Sequence, residues 1–188
     1  MHRFFAKKVR VKDTACVISL APLKHGDYSF LFTIEGELFR ENNFDDIHEA
    51  DLKAVITFTK NSPIIMFHFN IEGTVTVTCD RCGDDFKQNI RLERQLIVKT
   101  DSKEHTEDDE MVSLTSGEKD IDIAPFVYQY VVLSLPMQRI HGNDREGNSL
   151  CNAEIIKKLK KLEVKKSNEE QYMSNGGMHS SHTEKPNN

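Results

Sequence analysis

The residues with the clearest capacity for chemistry are two cysteines separated by two positions, Cys79 and Cys82. They follow an alternating run of threonine and valine and precede Gly83, so a strand pattern passes directly into a tight turn. Thiolates at this spacing bind a metal ion, exchange electrons as a redox pair, or occupy structural positions without chemistry. Which of these three applies determines most of the function.

A metal site built on this pair needs further ligands, because zinc in a closed structural site binds four protein donors. Cys16, Cys151 and eight histidines are the remaining thiol and imidazole donors. His141 and Cys151 share a loop between two predicted helices, and they complete a site of three thiolates and one imidazole if that loop reaches the cysteine turn. The residues alone leave a structural alternative open, in which Cys79 continues the apolar face of its strand and Cys82 is a turn residue.

The redox alternative is a thiol oxidoreductase that uses Cys79 and Cys82. Redox pairs at this spacing usually begin a helix, whose N-terminus lowers the thiol pKa. Here strand patterns precede and follow the pair, and three nearby acids oppose thiolate formation: Asp80, Asp84 and Asp85. The sequence also has no Gly-x-Ser-x-Gly elbow, P-loop or His-Glu-x-x-His helix. We therefore predict that the protein is not an enzyme and keep the oxidoreductase as the enzymatic alternative.

The elements that position the turn are predominantly strands. Apolar residues alternate with polar ones in several segments, which is typical of half-buried β-strands. Consecutive strands with short turns favour antiparallel pairing, so we predict a meander with strands over about 14–115 and the cysteine turn at a hairpin tip. The alternating apolar residues are Tyr28, Phe30, Phe32, Ile34, Leu52, Ala54, Ile56, Phe58, Phe67, Phe69 and Ile71.

Two helices are predicted after the strands, over about 122–135 and 152–164. Asp122 is a candidate N-cap for the first, and Pro136 ends it. Residues 167–188 are polar and without periodicity, which predicts a disordered tail. The predicted fold class is α+β, a β-rich antiparallel meander with two helices packed on one side, in a single domain over 1–166.

Charge is distributed unevenly along the chain. The net charge of −5 argues against a general nucleic-acid coat, but residues 1–12 carry five Lys/Arg and no acid, and residues 157–166 carry six lysines and one glutamate. Clustered positive charge is what phosphate contacts need, although such runs are also typical of solvated surfaces. The candidate contacts with RNA or another partner are Arg81, Lys7, Lys8, Arg10, Lys157, Lys158, Lys160 and Lys161.

The sequence indicates a cytoplasmic protein. It has no signal-peptide pattern and no run near the roughly 18 apolar residues of a membrane helix. Four irregularly spaced cysteines are not a disulfide framework. We expect reduced or metal-bound thiols, no membrane partner and no small-molecule substrate.

Two motifs, in order, resemble a known family. The first is Gly-x-Val-x-Val-x-Cys-Asp-Arg-Cys-x-Asp-Asp-Phe over residues 73–86, and the second is Ile-Asp-Ile over residues 121–123 before an apolar helix that ends in Leu-Ser-Leu-Pro-Met over residues 133–137. Over about residues 14–160 the chain is similar to the YceD family, the bacterial large ribosomal RNA subunit accumulation proteins. The His141 and Cys151 segment also resembles a version in which one histidine and one cysteine follow the helix.

The resemblance implies a non-enzymatic ribosome-assembly factor that supports accumulation of large-subunit ribosomal RNA by binding that RNA or a ribosomal protein. It also supports a structural zinc held by Cys79, Cys82, His141 and Cys151; a metal-free protein-interaction module is the alternative. The chain departs from the family pattern at Gly83, where leucine is usual, in keeping only Cys151 of the later cysteines, and in having no tryptophan near its end.

Overall fold

The computed structural model describes residues 7–10, 16–61, 63–103, 106–107, 111–115 and 117–162. Its strands are β1 (Lys7–Arg10), β2 (Val17–Ser19), β3 (Gly26–Glu35), β4 (Ile47–Lys60), β5 (Ile64–Thr78), β6 (Asp85–Ser102), β7 (Thr106–Glu107), β8 (Met111–Thr115) and β9 (Asp120–Asp122). Its helices are α1 (Glu37–Glu41), α2 (Ala124–Ser134) and α3 (153–162).

The main sheet is a mixed sheet with an antiparallel centre. Among the described residues its strand order is β1-β3-β4-β5-β6-β8-β7. The four long strands β3 to β6 pair antiparallel in sequence order, whereas β1 joins β3 and β8 joins β6 in parallel. Strands β2 and β9 form a separate antiparallel ribbon. The predicted meander is thus confirmed, and parallel pairings extend it at both sides.

The strands form where polar and apolar residues alternate, because such a pattern buries one face of a pleated sheet. In β4, Leu52, Ala54 and Ile56 are fully buried while the residues between them are more exposed. Aromatic rings meet on this buried face: the centroids of Phe58 and Phe67 lie 4.4 Å apart with the rings stacked. The hydrophobic core therefore lies against one face of the long strands.

Helix α2 covers part of that core. Phe126, Val127 and Val131 are buried, and the ring of Tyr130 meets Phe69 edge-on with centroids 5.4 Å apart. The Asp122 carboxylate accepts a hydrogen bond of 2.9 Å from the Ala124 N–H, one of the N–H groups that a helix start leaves unpaired. The helix begins two residues later than predicted and ends just before the predicted stop.

The strand-rich α+β class predicted from the sequence is confirmed. Helix α1 was not predicted; it is a single turn followed by Asn43, a non-glycine residue with φ 56°. Phe39 in this turn is fully buried. The predicted second helix corresponds to α3, described over 153–162, and the predicted tail over 167–188 lies outside the described residues.

The chain divides into two compact units. Unit 1 contains the described residues of 1–79 and 85–139, and unit 2 contains those of 80–84 and 140–188. Unit 1 carries the main sheet, the β2–β9 ribbon, α1 and α2; unit 2 carries the end of the cysteine turn, the following loop and α3. The single domain expected over 1–166 stays a prediction. Within the described residues, no helix has the length and apolar character needed to cross a membrane.

Candidate metal centre

The Cys-x-x-Cys turn is the tip of the hairpin formed by β5 and β6. These strands keep one register from Ile64 opposite Lys99 to Thr78 opposite Asp85, so the residues between the last pair form a short loop. The Thr78 hydroxyl donates a 2.8 Å hydrogen bond to the Asp85 carboxylate across the base of this loop. Gly83 adopts φ +79°, a conformation that side chains disfavour, which explains glycine at this point of the turn.

The second pair of donors lies in a loop that folds back on itself. Asn143 and Ser149 form an antiparallel bridge, and the Leu150 N–H donates to the Gly142 carbonyl at 3.0 Å. His141 and Cys151 flank this closed loop, so its backbone bonds bring together two donors that are ten residues apart in sequence.

Asp144 holds the loop together from inside. Its carboxylate accepts hydrogen bonds from the N–H groups of Glu146 at 2.9 Å and Asn148 at 2.8 Å, and from the Asn148 side-chain amide at 3.1 Å. These donors, with the Asn148 N–H first, lower the pKa of Asp144 because they stabilise the charged form.

Asn152 connects the start of α3 to the cysteine turn. Its side-chain oxygen accepts from the N–H groups of Glu154 at 3.1 Å and Ile155 at 3.4 Å, as an N-cap does. Its side-chain amide donates to the Asp84 carboxylate at 3.1 Å. Both ends of this contact belong to unit 2, and Cys151 is the residue immediately before the cap.

The four predicted ligands lie together. Their donor atoms are all within 4.8 Å of one another, and Cys82 Sγ lies 3.4 Å from His141 Nδ1. Cys82, His141 and Cys151 belong to unit 2, and Cys79 immediately precedes Asp80, the first residue of that unit. The three cysteines are buried and the histidine is half-buried.

This donor set fits a zinc ion. A tetrahedral zinc with bonds of about 2.3 Å to sulfur and about 2.0 Å to nitrogen places a sulfur and a nitrogen ligand about 3.5 Å apart. The contact between Cys82 and His141 matches that spacing. The other donor atoms lie within 4.8 Å of one another, against about 3.8 Å for two sulfur ligands of one zinc. Four protein donors also fill the coordination sphere, as in structural zinc sites. Zinc binding by these residues stays a prediction.

Cys79 and Cys16 are both buried, but in different surroundings. Within the described chain, Cys79, Cys82 and Cys151 lie outside the cluster of buried apolar side chains, whereas Cys16 lies inside it. Burial, and then the negative charge of Asp122, raise the pKa of the Cys16 thiol to about 11, so this cysteine is a neutral core residue.

The predicted partner contacts are exposed where their side chains are described. Arg81 is exposed on the cysteine turn, and four lysines are exposed on α3: Lys157, Lys158, Lys160 and Lys161. Lys7, Lys8 and Arg10 belong to β1, whose side chains lie outside the described part. A role for these residues in binding RNA stays a prediction.

Sequence reasoning missed the residues that support the ligands. Asp144 and Asn152 each had a local signal, since aspartate followed by a glycine turn and asparagine before a helical pattern are typical of turns and N-caps. The contact of Asn152 with Asp84 had no signal in the sequence, because these two residues are 68 positions apart.

Comparison with curated proteins gives no match, and comparison with solved structures gives none either. A family model, described as large ribosomal RNA subunit accumulation protein YceD, matches residues 67–174, which is more than half of the chain. The matched region includes the cysteine turn, His141 and Cys151. The chain therefore belongs to the YceD family.

Proposed function

We propose that this protein is a ribosome-assembly factor that supports accumulation of large-subunit ribosomal RNA by binding, without catalysing a reaction, and that it acts in the cytoplasm. Membership of the YceD family supports the ribosomal role. The grouping of Cys79, Cys82, His141 and Cys151 supports a role in binding without catalysis. Four protein ligands would leave no coordination position on the metal for water or substrate. Catalytic zinc sites keep such a position, so a closed site favours binding over hydrolysis.

The proposed metal has a structural role in unit 2. The described part of that unit has a single α-helix, so burial of apolar surface contributes less to its stability than in the sheet. Structural zinc releases apparent free energies of about 10–16 kcal/mol in zinc-finger peptides at neutral pH, which is enough to hold a small module folded. Bound zinc would fix Cys82 against His141 and Cys151, and it would hold exposed Arg81 on a rigid turn. Arg81 and the lysines of α3 then contact the ribosomal partner.

The cellular test uses a strain that lacks the protein. We expect reduced large-subunit ribosomal RNA and accumulated subunit precursors, restored by the wild-type chain and by Cys16→Ala but not by Cys82→Ser. Cys16→Ala is the matched control, because it removes a buried thiol that is outside the ligand group. Normal large-subunit RNA in the deletion strain would contradict the proposed function.

The metal is tested on protein purified without chelator. Elemental analysis should give one zinc per chain in the wild type and in Cys16→Ala, and much less in Cys82→Ser. A metal-free protein that reduces disulfides would favour the oxidoreductase instead. A metal-free protein without that activity, with RNA accumulation still dependent on it, would favour an interaction module without zinc.

A further inference from the structure

Unit 2 contains a groove along α3 that begins at the metal centre. The groove has a volume of about 680 Å³ and is lined by Ser149, Cys151, Ala153, Ile156, Lys157, Lys160 and Lys161. Three of the four exposed lysines of α3 line it, whereas Lys158 does not. We propose that this lysine groove binds the phosphate backbone of RNA. The inference rests on the proposed function and names the partner and the surface.

The placement of the three lysines favours a polyanionic ligand. Lys157 and Lys161 are four residues apart and Lys160 lies between them, so all three project from one side of the helix. Like charges at this spacing repel one another, and Glu154, the single acid in residues 153–162, lies at pairing distance in sequence from Lys157 and Lys158 but not from Lys160 or Lys161. Phosphate groups of an anion in the groove would relieve the repulsion among these lysines.

The charge of the metal centre does not account for these lysines. Three thiolates and one divalent zinc carry a net charge of −1, so a single cation balances the site. Three lysines leave a net charge of about +2 at the groove beside Cys151, which two phosphate groups of an RNA backbone would neutralise.

The rest of the lining indicates how RNA would be recognised. Ala153 and Ile156 give the groove an apolar wall, and no aromatic residue lines it among the described residues. Stacking of bases on aromatic rings is therefore absent from this surface, and lysine–phosphate contacts carry no sequence information. We expect binding that depends strongly on salt and weakly on base sequence.

The metal centre fixes the groove in place. Helix α3 begins two residues after Cys151, and its N-cap, Asn152, donates a hydrogen bond to Asp84. Removal of the metal frees the ligand that precedes the helix. RNA affinity should therefore fall when zinc is chelated, although no lysine is altered.

The test is a binding titration of the full-length, zinc-loaded chain with labelled polyuridylate over a range of salt concentrations. We expect the triple variant Lys157→Gln, Lys160→Gln, Lys161→Gln to lose at least about tenfold in affinity, and the slope of log K against log salt to decrease by about 2, as expected for three lost contacts to a single strand. The charge-matched control, Lys24→Gln, Lys53→Gln, Lys99→Gln, alters three exposed lysines of unit 1 and should change the slope little. A triple lysine-to-arginine variant of the groove should retain the affinity, which separates lost charge from misfolding.

Equal loss in the groove variant and the charge-matched control would overturn the proposal, since binding would then follow net charge alone. Absence of polyuridylate binding by the wild type would also overturn it. If the groove variant binds polyuridylate normally but fails to restore ribosomal RNA in cells, the groove serves a protein partner and the RNA assignment is wrong. The proposed function stands or falls separately, because the deletion strain tests it without reference to the groove.

Discussion

At the scale of single residues, two glycines with positive φ angles show how local space determines the effect of a substitution. Gly73 in β5 has φ +146°, and a Cβ atom there would lie 2.9 Å from the Leu52 Cα atom and even closer to the Asp51 carbonyl oxygen. Gly83 in the cysteine turn has φ +79°, but a Cβ atom there meets nothing within 4 Å. Both positions favour glycine by conformation, and Gly73 also requires it for the close approach of β4.

We expect Gly73→Ala to lower the free energy of unfolding by more than about 2 kcal/mol, because two backbones must move apart. Gly83→Ala should cost only about 1 kcal/mol, the strain of a side chain in a left-handed conformation. Urea denaturation of both variants measures the difference. Equal losses of unfolding free energy in the two variants would show that the backbone conformation at Gly73, and not the close approach of β4, disfavours a side chain there.

The buried Cys16 thiol gives a prediction for alkaline pH. Its pKa is raised from 9.0 to about 11 in the folded chain, so folding favours the neutral thiol. A group with a raised pKa contributes stability that is complete below its unfolded pKa and is lost as pH rises through the folded pKa. The free energy of unfolding should therefore fall between about pH 9 and pH 11, and less steeply in Cys16→Ala. Chemical denaturation at intervals of pH measures both slopes, and parallel slopes would contradict the assignment to Cys16.

At the scale of elements, the loop between His141 and Cys151 is built around one carboxylate. Three donors stabilise the charged form of Asp144 and lower its pKa. A lowered pKa contributes stability that is present above the unfolded value, near 3.8, and is lost as pH falls through the folded value. The loop should therefore hold its two ligands in place throughout the neutral range.

We expect Asp144→Ala to reduce zinc affinity by roughly tenfold at neutral pH, the lower end of the effect of changing residues that orient metal ligands. Competition with a chromogenic zinc chelator measures this affinity. Asp120→Ala is the control, because Asp120 is an exposed acid of the β2–β9 ribbon in unit 1. Unchanged affinity in Asp144→Ala would show that the backbone bonds alone position His141 and Cys151.

The long strands could be predicted from the sequence because their signal is local. Ile56 and Phe58 alternate with polar residues, and that pattern has one simple explanation, a sheet with one buried face. The parallel pairing of β1 with β3 could not be predicted, since nothing in four residues specifies a distant partner. Helix α1 was missed for another reason: it is one turn long, and tertiary packing of Phe39 stabilises it more than helix propensity does.

The residues of the candidate site likewise include some that local sequence patterns identify and others that depend on the fold. Cys79 and Cys82 were identified by their spacing, which is a local property. Adding His141 and Cys151 depended on chain topology, since any of eight histidines could have been the fourth ligand by type. The backbone hydrogen bonds that close the loop and the contact of Asn152 with Asp84 are visible only in the structure. Hydrogen-bond partners that are far apart along the chain produce no recognisable pattern in the sequence.

At the scale of the whole molecule, the two units depend on different interactions. Unit 1 contains the hydrophobic core cluster, in which large side chains such as Phe32, Phe67 and Phe69 are almost fully buried. Unit 2 contributes no residue to that cluster within the described part of the chain, and its helix leaves Leu159 and Leu162 exposed. Unit 1 is therefore stabilised by burial of apolar surface, whereas we expect unit 2 to depend on its metal.

Chelation of zinc should therefore affect the units unequally. We expect amide hydrogen exchange over residues 140–162 to accelerate when a chelator is added, while amides in the centres of β4, β5 and β6 keep their protection. Mass spectrometry of peptic fragments measures both regions in one experiment. Uniform acceleration in both units would show that they unfold as one cooperative body.

The distance along the chain between the two halves of the metal centre has a consequence for biosynthesis. His141 follows Cys82 by 59 residues, and a ribosome adding about 5–20 residues per second needs roughly 3 to 12 s to make that stretch. During this interval the nascent chain offers a half-site of two thiols, and β6, β8, β9 and α2 are completed before the other ligands emerge. We expect high-affinity capture of zinc to wait for Cys151, and a chain truncated before that residue to remain metal-poor. Zinc content should therefore distinguish chains synthesised through Cys151 from chains terminated before it.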